Sequence, residues 1–302
     1  MRLETIGVMS PGDMGHGIGR ALRESGRRVL TNLTGRSARS RGLANSAGLE
    51  DAGSLEAIMA EADLMLSIVP PSAAESFARD VAAAMGAAGR SPMFADLNAI
   101  SPATSATVGN IIDDAGASYV DGSIIGLTPG KAAAPRIYVS GPDAKPLEAL
   151  TTDTMIWRFA GEEAGRASTL KMLYAGLNKG TWALQATMAI AAERYGLFDA
   201  FMNEVSGSDP ARAKSMENWV GFLAADAERW HPEMAEIAET LAAIGAATGF
   251  HRGAEDVFRM LARTPLAAET RQTWDRSRTM KESVKIFAET LAIETKKSVD
   301  TR

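Results

Sequence analysis

The sequence predicts an α/β fold with a doubly wound sheet over residues 1–162, followed by an all-α domain over residues 163–302. Up to about residue 160, apolar strand-like runs alternate with helical segments, as in a parallel sheet covered by helices. Beyond Arg166 the chain becomes rich in Ala, Leu and Met and is helical in pattern throughout. A length of 302 residues suits two domains, each with its own core.

The first domain is organised around residues 5–20, TIGVMSPGDMGHGIGR. A strand-like run leads into a glycine turn and a helix predicted from Met14 to Ser25, and a second strand begins near Val29. Glycine lets a pyrophosphate approach the backbone at a helix N-terminus, where free N–H groups and the helix dipole favour negative charge. A dinucleotide-binding Rossmann domain is therefore expected. Its predicted phosphate turn comprises Ser10, Pro11, Gly12, Asp13, Met14 and Gly15.

Ser10 occupies the place of the first glycine in the usual motif, so an ordinary tight turn is the alternative interpretation.

A basic loop follows the second strand. Thr34 is neutral and lies near the position, about 20 residues beyond the glycine turn, where NAD-selective sites carry an acidic residue. Arg36 and Ser37 follow it, and guanidinium and hydroxyl donors suit a 2′-phosphate. NADP is the expected cofactor, NAD could replace it, and a solvated basic loop is the alternative.

Two further predicted strands end at residues expected to border the cofactor. The apolar run 62–69 ends at Pro70, as expected for a strand buried on both faces. Because ligands of open α/β sheets lie at the carboxyl ends of the strands, Val69 and Pro70 are predicted to contact the cofactor. Asn98 follows the next strand and could bind a nicotinamide amide or only its own turn.

The second domain opens with a long helix predicted from Arg166 to Arg194, apolar around most of its circumference. Such a helix is typical of a domain centre or a subunit contact, so a homodimer is expected. Its polar side chains recur at spacings of three, three and four, which predicts one stripe. They are Ser168, Lys171, Tyr174 and Asn178. A lysine there could act as general acid and base for a hydroxyl or its carbonyl, and a structural or exposed lysine is the alternative.

Two helix starts are predicted further along the chain. Asp209-Pro210 begins one helix, since proline suits the first helical position. Trp230-His231-Pro232 begins another, which is expected to run to Gly245. His231 is then an N-terminal helix residue rather than a metal ligand.

Composition narrows the classes of function. The net charge is −5 and no block of Lys and Arg occurs, so neither nucleic acid nor an anionic membrane is an expected partner. There are no cysteines, and the three histidines lack metal-ligand spacing, so no metal is expected. The N-terminus leads directly into a strand and no uncharged run reaches the ~20 residues needed to span a bilayer, so the expected location is the cytoplasm.

Four motifs in order resemble those of the β-hydroxyacid dehydrogenase and 6-phosphogluconate dehydrogenase superfamily, over nearly the whole chain. They are GVMSPGDMG (7–15), DLNAISP (96–102), VDGSIIG (120–126) and GRASTLKMLYAGLNKG (165–180). The resemblance implies an NAD(P)-dependent dehydrogenase with a C-terminal domain like that of 6-phosphogluconate dehydrogenase. It also implies a small hydroxyacid-like substrate.

The resemblance further implies residue roles. Lys171 matches the catalytic lysine of the superfamily. Further matches, to the phosphate turn and to the surroundings of the nicotinamide and its ribose, are Gly12, Met14, Gly15, Val69, Pro70 and Asn98. Ile125 replaces the usual substrate-binding serine, which leaves Ser123 as the nearest hydroxyl to bind a polar substrate group. Tyr174 and Asn178 are expected to orient the substrate oxygen.

Two other functions remain open at this point. The usual asparagines after the lysine are replaced by Tyr174 and Ala175, and related folds reduce C=N bonds, so an NADPH-dependent imine reductase is one alternative. The other is a nucleotide-binding scaffold without catalysis, because a fold by itself does not establish a function.

Overall fold

The computed structural model describes residues 3–131 and 133–300, with side chains as far as residue 291. The chain forms two compact units, Met1–Met172 and Leu173–Arg302. The division lies inside a helix that begins at Arg166. The first turns of this helix therefore belong to the N-terminal unit.

The strands of the first unit form one mostly parallel sheet. In chain order they are β1 (Thr5–Met9), β2 (Arg28–Thr31), β3 (Glu50–Asp51), β4 (Leu64–Ser67), β5 (Met93–Asp96), β6 (Tyr119–Ile125), β7 (Arg136–Ser140) and β8 (Ile156–Gly161). Their order in the sheet is β3-β2-β1-β4-β5-β6-β7-β8. The pairs are parallel except for β6 with β7, which is antiparallel.

Helices cover both faces of this sheet. They are α1 (Gly15–Glu24), α2 (Ala38–Ala47), α3 (Leu55–Glu61), α4 (Ala74–Ala88) and α5 (Pro102–Asp114). Strand β4 shows how the faces divide: Leu64 and Leu66 pack in one apolar cluster with α1 and α2, whereas Met65 packs in another with α3, α4 and α5. This alternation is that of a strand buried on both faces. The predicted doubly wound Rossmann sheet is confirmed.

The second unit is helical in the part of the chain that the structure describes. Helix α6 (Arg166–Arg194) enters it from the first unit and is followed by α7 (Phe198–Ser208), α8 (Pro210–Trp219), α9 (Ala224–Ala242), α10 (Gly249–Leu261) and α11 (Met280–Asp300). The predicted all-α domain is thus confirmed, as is the helix start at Asp209-Pro210, where the Asp209 side chain accepts the Arg212 N–H at 3.0 Å. None of the described helices is both long and apolar enough to cross a membrane.

The predicted helix start at Trp230 is wrong, because helix α9 already begins at Ala224 and continues through Pro232. Tertiary contacts on both sides of the proline hold the helix together. The Trp230 ring stacks on Trp182 with centroids 5.3 Å apart, and the buried Glu233 carboxylate pairs with Lys179. These contacts outweigh the cost of an interior proline, about 3 kcal/mol, and they place His231 inside the helix.

Candidate active site

The residues predicted to bind the cofactor lie at one edge of the sheet. Strands β2, β1, β4 and β5 are adjacent and parallel, so their carboxyl ends share that edge. The strand order reverses between β1 and β4, since the chain moves outward to β3 on one side and to β8 on the other. Ligands of doubly wound sheets bind at such a reversal. The loops after these four strands are therefore brought together where a dinucleotide would lie.

The glycine turn is held against the end of β4. The Ser10 N–H donates to Ile68 O at 3.0 Å, and the Gly12 N–H donates to Ser10 O at 2.8 Å. Helix α1 begins so close to this turn that a Cβ on Gly15 would lie 2.0 Å from Ser10 O. A Cβ on Gly12 would meet only Ser10 Oγ, 3.9 Å away, so the space beside the turn is open. An open glycine at a helix N-terminus fits a pyrophosphate.

The basic loop after β2 offers donors for a further phosphate. The Ser37 hydroxyl caps α2 by accepting the Ser40 N–H at 3.2 Å. The Arg36 guanidinium is partly buried and has no hydrogen bond or ion pair within the described residues. Arg39 forms an ion pair with Asp13 and so connects this loop to the glycine turn. Thr34 is exposed and donates its hydroxyl to Gly53 O at 2.9 Å.

Asn98 connects the ends of β4 and β5. Its Oδ1 accepts the Val69 N–H at 2.7 Å, and its Nδ2 donates to Ser67 Oγ at 2.9 Å and to Asp96 Oδ2 at 2.8 Å. Both amide hydrogens are thus used within the protein. Asn98 holds the loop that carries Val69 and the exposed Pro70. It therefore does not bond only to its own turn, which was the alternative for this side chain.

Asp96 is buried beneath this loop and is 1% exposed. The pKa of its carboxyl is raised to about 7, mainly by burial and to a smaller extent by the negative charge of Asp121 on the neighbouring strand, while hydrogen bonds from Asn98 and Ser67 lower it. The Asn98 backbone N–H donates to Asp96 Oδ1 at 2.8 Å. A carboxyl group that titrates near neutrality is therefore bonded to Asn98, which in turn bonds the loop after β4.

Lys171 lies near the start of α6, in the first unit. Its Nζ donates to Ile124 O of β6 at 3.0 Å, and the side chain is partly buried. Ser123, next to Ile124, is fully buried and donates its hydroxyl to Ala167 O at 2.9 Å. The Ser123 hydroxyl thus takes part in strand–helix packing rather than facing an open surface.

The side chains of the predicted polar stripe on α6 have different surroundings in the structure. Ser168 is fully buried and points to Asp121. Tyr174 and Asn178 belong to the second unit, where Tyr174 is about half exposed and Asn178 Nδ2 donates to Tyr174 O at 2.9 Å. Residues three and four apart share one side of a helix, but these side chains differ in burial and in the unit to which they belong. Lys171 is therefore the stripe residue whose amine contacts the sheet.

Asp121 is a central residue that the sequence analysis left without a role. It lies within β6 and is fully buried. It accepts hydrogen bonds from two helices, α5 and α6, and from one strand, β7. The signal was available, because a carboxylate inside an apolar strand is rarely buried unless it is hydrogen-bonded. Its partners are distant in sequence, so no local pattern identifies them.

Comparisons with known proteins agree with this geometry. Residues 5–151 match the NAD-binding domain of 6-phosphogluconate dehydrogenase, and residues 192–261 match a domain of unknown function, DUF1932. The resemblance predicted from the four motifs is confirmed. An uncharacterized 28.5 kDa protein of Methanothermus fervidus is 28% identical over 174 residues, which are 58% of this chain and 65% of that protein. The match thus spans somewhat less than two thirds of this relative.

Solved structures share the fold over most of the chain. A conserved hypothetical protein of Sinorhizobium meliloti is 25% identical, with 96% of this chain and 97% of that one aligned at a TM-score of 0.67. A 3-hydroxyisobutyrate dehydrogenase of Mycobacterium tuberculosis, solved with L-serine, is 18% identical, with 94% and 99% aligned at 0.68. An imine reductase of Streptomyces aurantiacus is 19% identical, with 93% and 99% aligned at 0.52.

Proposed function

Since residues 5–151 belong to the NAD-binding domains of the 6-phosphogluconate dehydrogenase type, we propose that this protein is an NADP-dependent dehydrogenase. It interconverts a small hydroxyacid-like alcohol and its carbonyl, with Lys171 as general acid and base. The observation that carries this proposal is the Lys171 amine beside β6, in the same compact unit as the glycine turn. Proton transfer by a positioned amine is what oxidation of a hydroxyl requires.

Each residue contributes a separate part of the reaction. The bound nicotinamide supplies the acceptor or donor of the hydride. In the direction of oxidation, the neutral Lys171 amine takes the hydroxyl proton, and in reduction it returns that proton to the carbonyl oxygen. The glycine turn, with Gly12, Met14 and Gly15, would hold the pyrophosphate, and the loop with Val69 and Pro70 would border the nicotinamide.

The choice of NADP rests on the basic loop. A 2′-phosphate would meet the Arg36 guanidinium, the Ser37 hydroxyl and the N-terminus of α2, all of which favour an anion. NADP⁺ at about 100 times its dissociation constant should stabilise the protein by about 3 kcal/mol, a shift of the melting temperature of about 5 to 10 °C. NAD⁺ at the same concentration should give a clearly smaller shift. Thermal unfolding with each cofactor measures this difference.

Arg36→Ala separates the phosphate contact from general binding. It should weaken NADP⁺ about 10- to 100-fold, the worth of a charged hydrogen bond, and leave NAD⁺ unchanged. Arg79→Ala, on the exposed side of α4, is the control and should alter neither. A larger shift with NAD⁺ than with NADP⁺ would overturn the assignment of this loop, and no shift with either would favour a protein that has lost cofactor binding.

Imine reduction is the second candidate, and the fold alone supports it, since imine reductases share this fold. Retention of a lysine amine at the sheet favours alcohol chemistry over imine reduction. Turnover of NADPH with a five-membered cyclic imine, measured beside NADP⁺ with 3-hydroxyisobutyrate and L-serine, distinguishes the two reactions.

A homodimer completes the proposal. On the second-unit part of α6, large apolar side chains recur at spacings of four, seven and four and are exposed by 43% to 72%. They are Leu173, Leu177, Leu184 and Met188. Monomeric proteins rarely expose a continuous apolar stripe of this kind, and a second copy would bury it.

Light scattering after size exclusion tests the homodimer. The wild-type protein should elute as a dimer, and Leu177→Glu with Leu184→Glu should give a monomer, because two buried carboxylates without partners are costly. Ile244→Glu introduces the same change at an equally exposed residue after α9 and should leave the dimer intact. A wild-type monomer at micromolar concentration would contradict the homodimer.

A further inference from the structure

A fully buried carboxylate, that of Asp121, fastens the start of α6 to the sheet. Its Oδ2 accepts the Ser168 N–H at 3.0 Å and the Ser140 hydroxyl at 2.7 Å. Its Oδ1 accepts the Ser105 hydroxyl at 2.8 Å and the hydroxyl of Ser168. Four donors thus satisfy both oxygens, so the charge is compensated within the protein.

Two more hydrogen bonds join the same turn of α6 to the sheet. The Ala167 N–H donates to Ser140 Oγ at 3.0 Å, and Ala167 O accepts the Ser123 hydroxyl at 2.9 Å. We call Asp121, Ser123, Ser140 and Ser168 the β6–α6 clamp. The clamp holds the first turn of the helix through its backbone as well as its side chains, from strands β6 and β7.

The position of Lys171 follows from this attachment. The first N–H groups of a helix have no partners within it and carry the positive end of its dipole. A buried carboxylate that accepts one of them prevents the first turn from fraying. Lys171 lies one turn beyond Ser168, and its amine donates to Ile124 O, three residues along β6 from Asp121. The clamp and the hydrogen bond from Lys171 to Ile124 therefore connect the same two elements, β6 and α6.

We propose that Asp121, through the β6–α6 clamp, is a positioning residue that holds the Lys171 amine at β6 for proton transfer. This inference rests on the proposed function in assigning proton transfer to Lys171, but the attachment of the amine can be measured without substrate. A role in stability alone is the competing explanation. It predicts that the loss of any donor to Asp121 loosens the Lys171 amine to the same degree, whichever helix or strand carries that donor.

Two serine variants separate these explanations. Asp121→Asn leaves buried donors facing an amide group and can prevent folding, so the informative variant is Ser168→Ala, which removes the hydroxyl that α6 contributes. Ser105→Ala is matched to it, because it removes the hydroxyl that α5 contributes to the same Oδ1. Each change deletes one hydrogen bond to the buried carboxylate, and Ser105→Ala also deletes the bond between Ser105 and the Tyr119 hydroxyl. Only Ser168→Ala loosens the helix that carries Lys171.

The rate at which Lys171 is acetylated by an N-hydroxysuccinimide ester at pH 8, followed by mass spectrometry, reports how firmly its amine is held. The exposed Lys214 serves as the internal reference. Ser168→Ala should raise the rate at Lys171 about three- to tenfold, in line with the loss of one hydrogen bond, and Ser105→Ala should leave it within about twofold. Where turnover is found, Ser168→Ala should lower kcat by a similar factor with KM for NADP⁺ unchanged.

Equal labelling rates in the two serine variants would overturn the positioning role of Asp121 and leave it a stabilising residue. Failure of the proposed function has a different signature. If Lys171→Ala keeps its turnover, proton transfer is not the work of this lysine, even when Ser168→Ala alone frees its amine. The two results can thus be told apart.

Discussion

Lys171→Ala is expected to lower kcat by about 10²- to 10⁴-fold, the usual contribution of a general acid or base, while NADP⁺ affinity stays within about twofold. The amine contacts Ile124 O of β6, and none of the residues proposed to hold the pyrophosphate is altered by its removal. Initial rates with 3-hydroxyisobutyrate, L-serine and the cyclic imine, together with thermal shifts by NADP⁺, measure the two quantities separately.

Chemical rescue sharpens this experiment. Added methylammonium should restore part of the lost kcat in Lys171→Ala, because a small amine can enter the space of the missing side chain and carry the same proton. Lys214→Ala is the control, since Lys214 is exposed on α8, and it should keep full turnover. Undiminished turnover in Lys171→Ala would refute the assignment, and joint loss of turnover and NADP⁺ binding would indicate a folding defect.

The second large effect concerns pH and Asp96. The pKa of its carboxyl rises from the ordinary value of 3.8 to about 7 in the folded protein, mainly because of burial. Between these values the folded protein keeps a proton that the unfolded chain has released. The free energy of unfolding should therefore fall as pH rises through this range and level off above pH 7. Between pH 5 and pH 8 the loss from this group is about 3 kcal/mol.

Asp96→Asn removes the titration, so the expected loss between pH 5 and pH 8 should be missing from its urea unfolding curves, followed by circular dichroism. Its stability at any one pH is not the readout, since an amide also changes the bonds to Asn98. Asp80→Asn changes an exposed carboxylate on α4 and should keep the wild-type slope. Parallel pH profiles for Asp96→Asn and wild type would show that Asp96 is ionised across the range.

Most of the fold follows from local patterns. The β4 run is buried on both faces as expected, and Ser54 and Ser101 cap α3 and α5 by accepting backbone N–H groups at 3.1 Å. The start of α9 could not be predicted in the same way. Pro232 is a strong local signal for a helix start, but it is overridden by packing of Trp230 and Glu233, which depends on partners far along the chain.

The candidate site likewise contains residues that local sequence predicts and residues that it does not. The glycine turn and the basic loop are contiguous in sequence, so their residue types alone predict their place. Asp121 and its partners come from β6, β7, α5 and α6, and no spacing in the chain relates them. Ser123 illustrates the difference, because its hydroxyl was predicted to bind substrate from its motif, and its partner Ala167 lies 44 residues away.

The glycines of α1 have a consequence for the order in which structure forms. Gly15, Gly17 and Gly19 fall in the first half of a ten-residue helix, and together they cost about 3 kcal/mol of helix propensity relative to alanine. A helix of this length is marginal by itself even without glycine. The helix therefore forms only when β1 and its neighbours are assembled. Cofactor affinity should then depend on the integrity of the whole N-terminal unit, and substitutions deep in the sheet should weaken cofactor binding without contacting the cofactor.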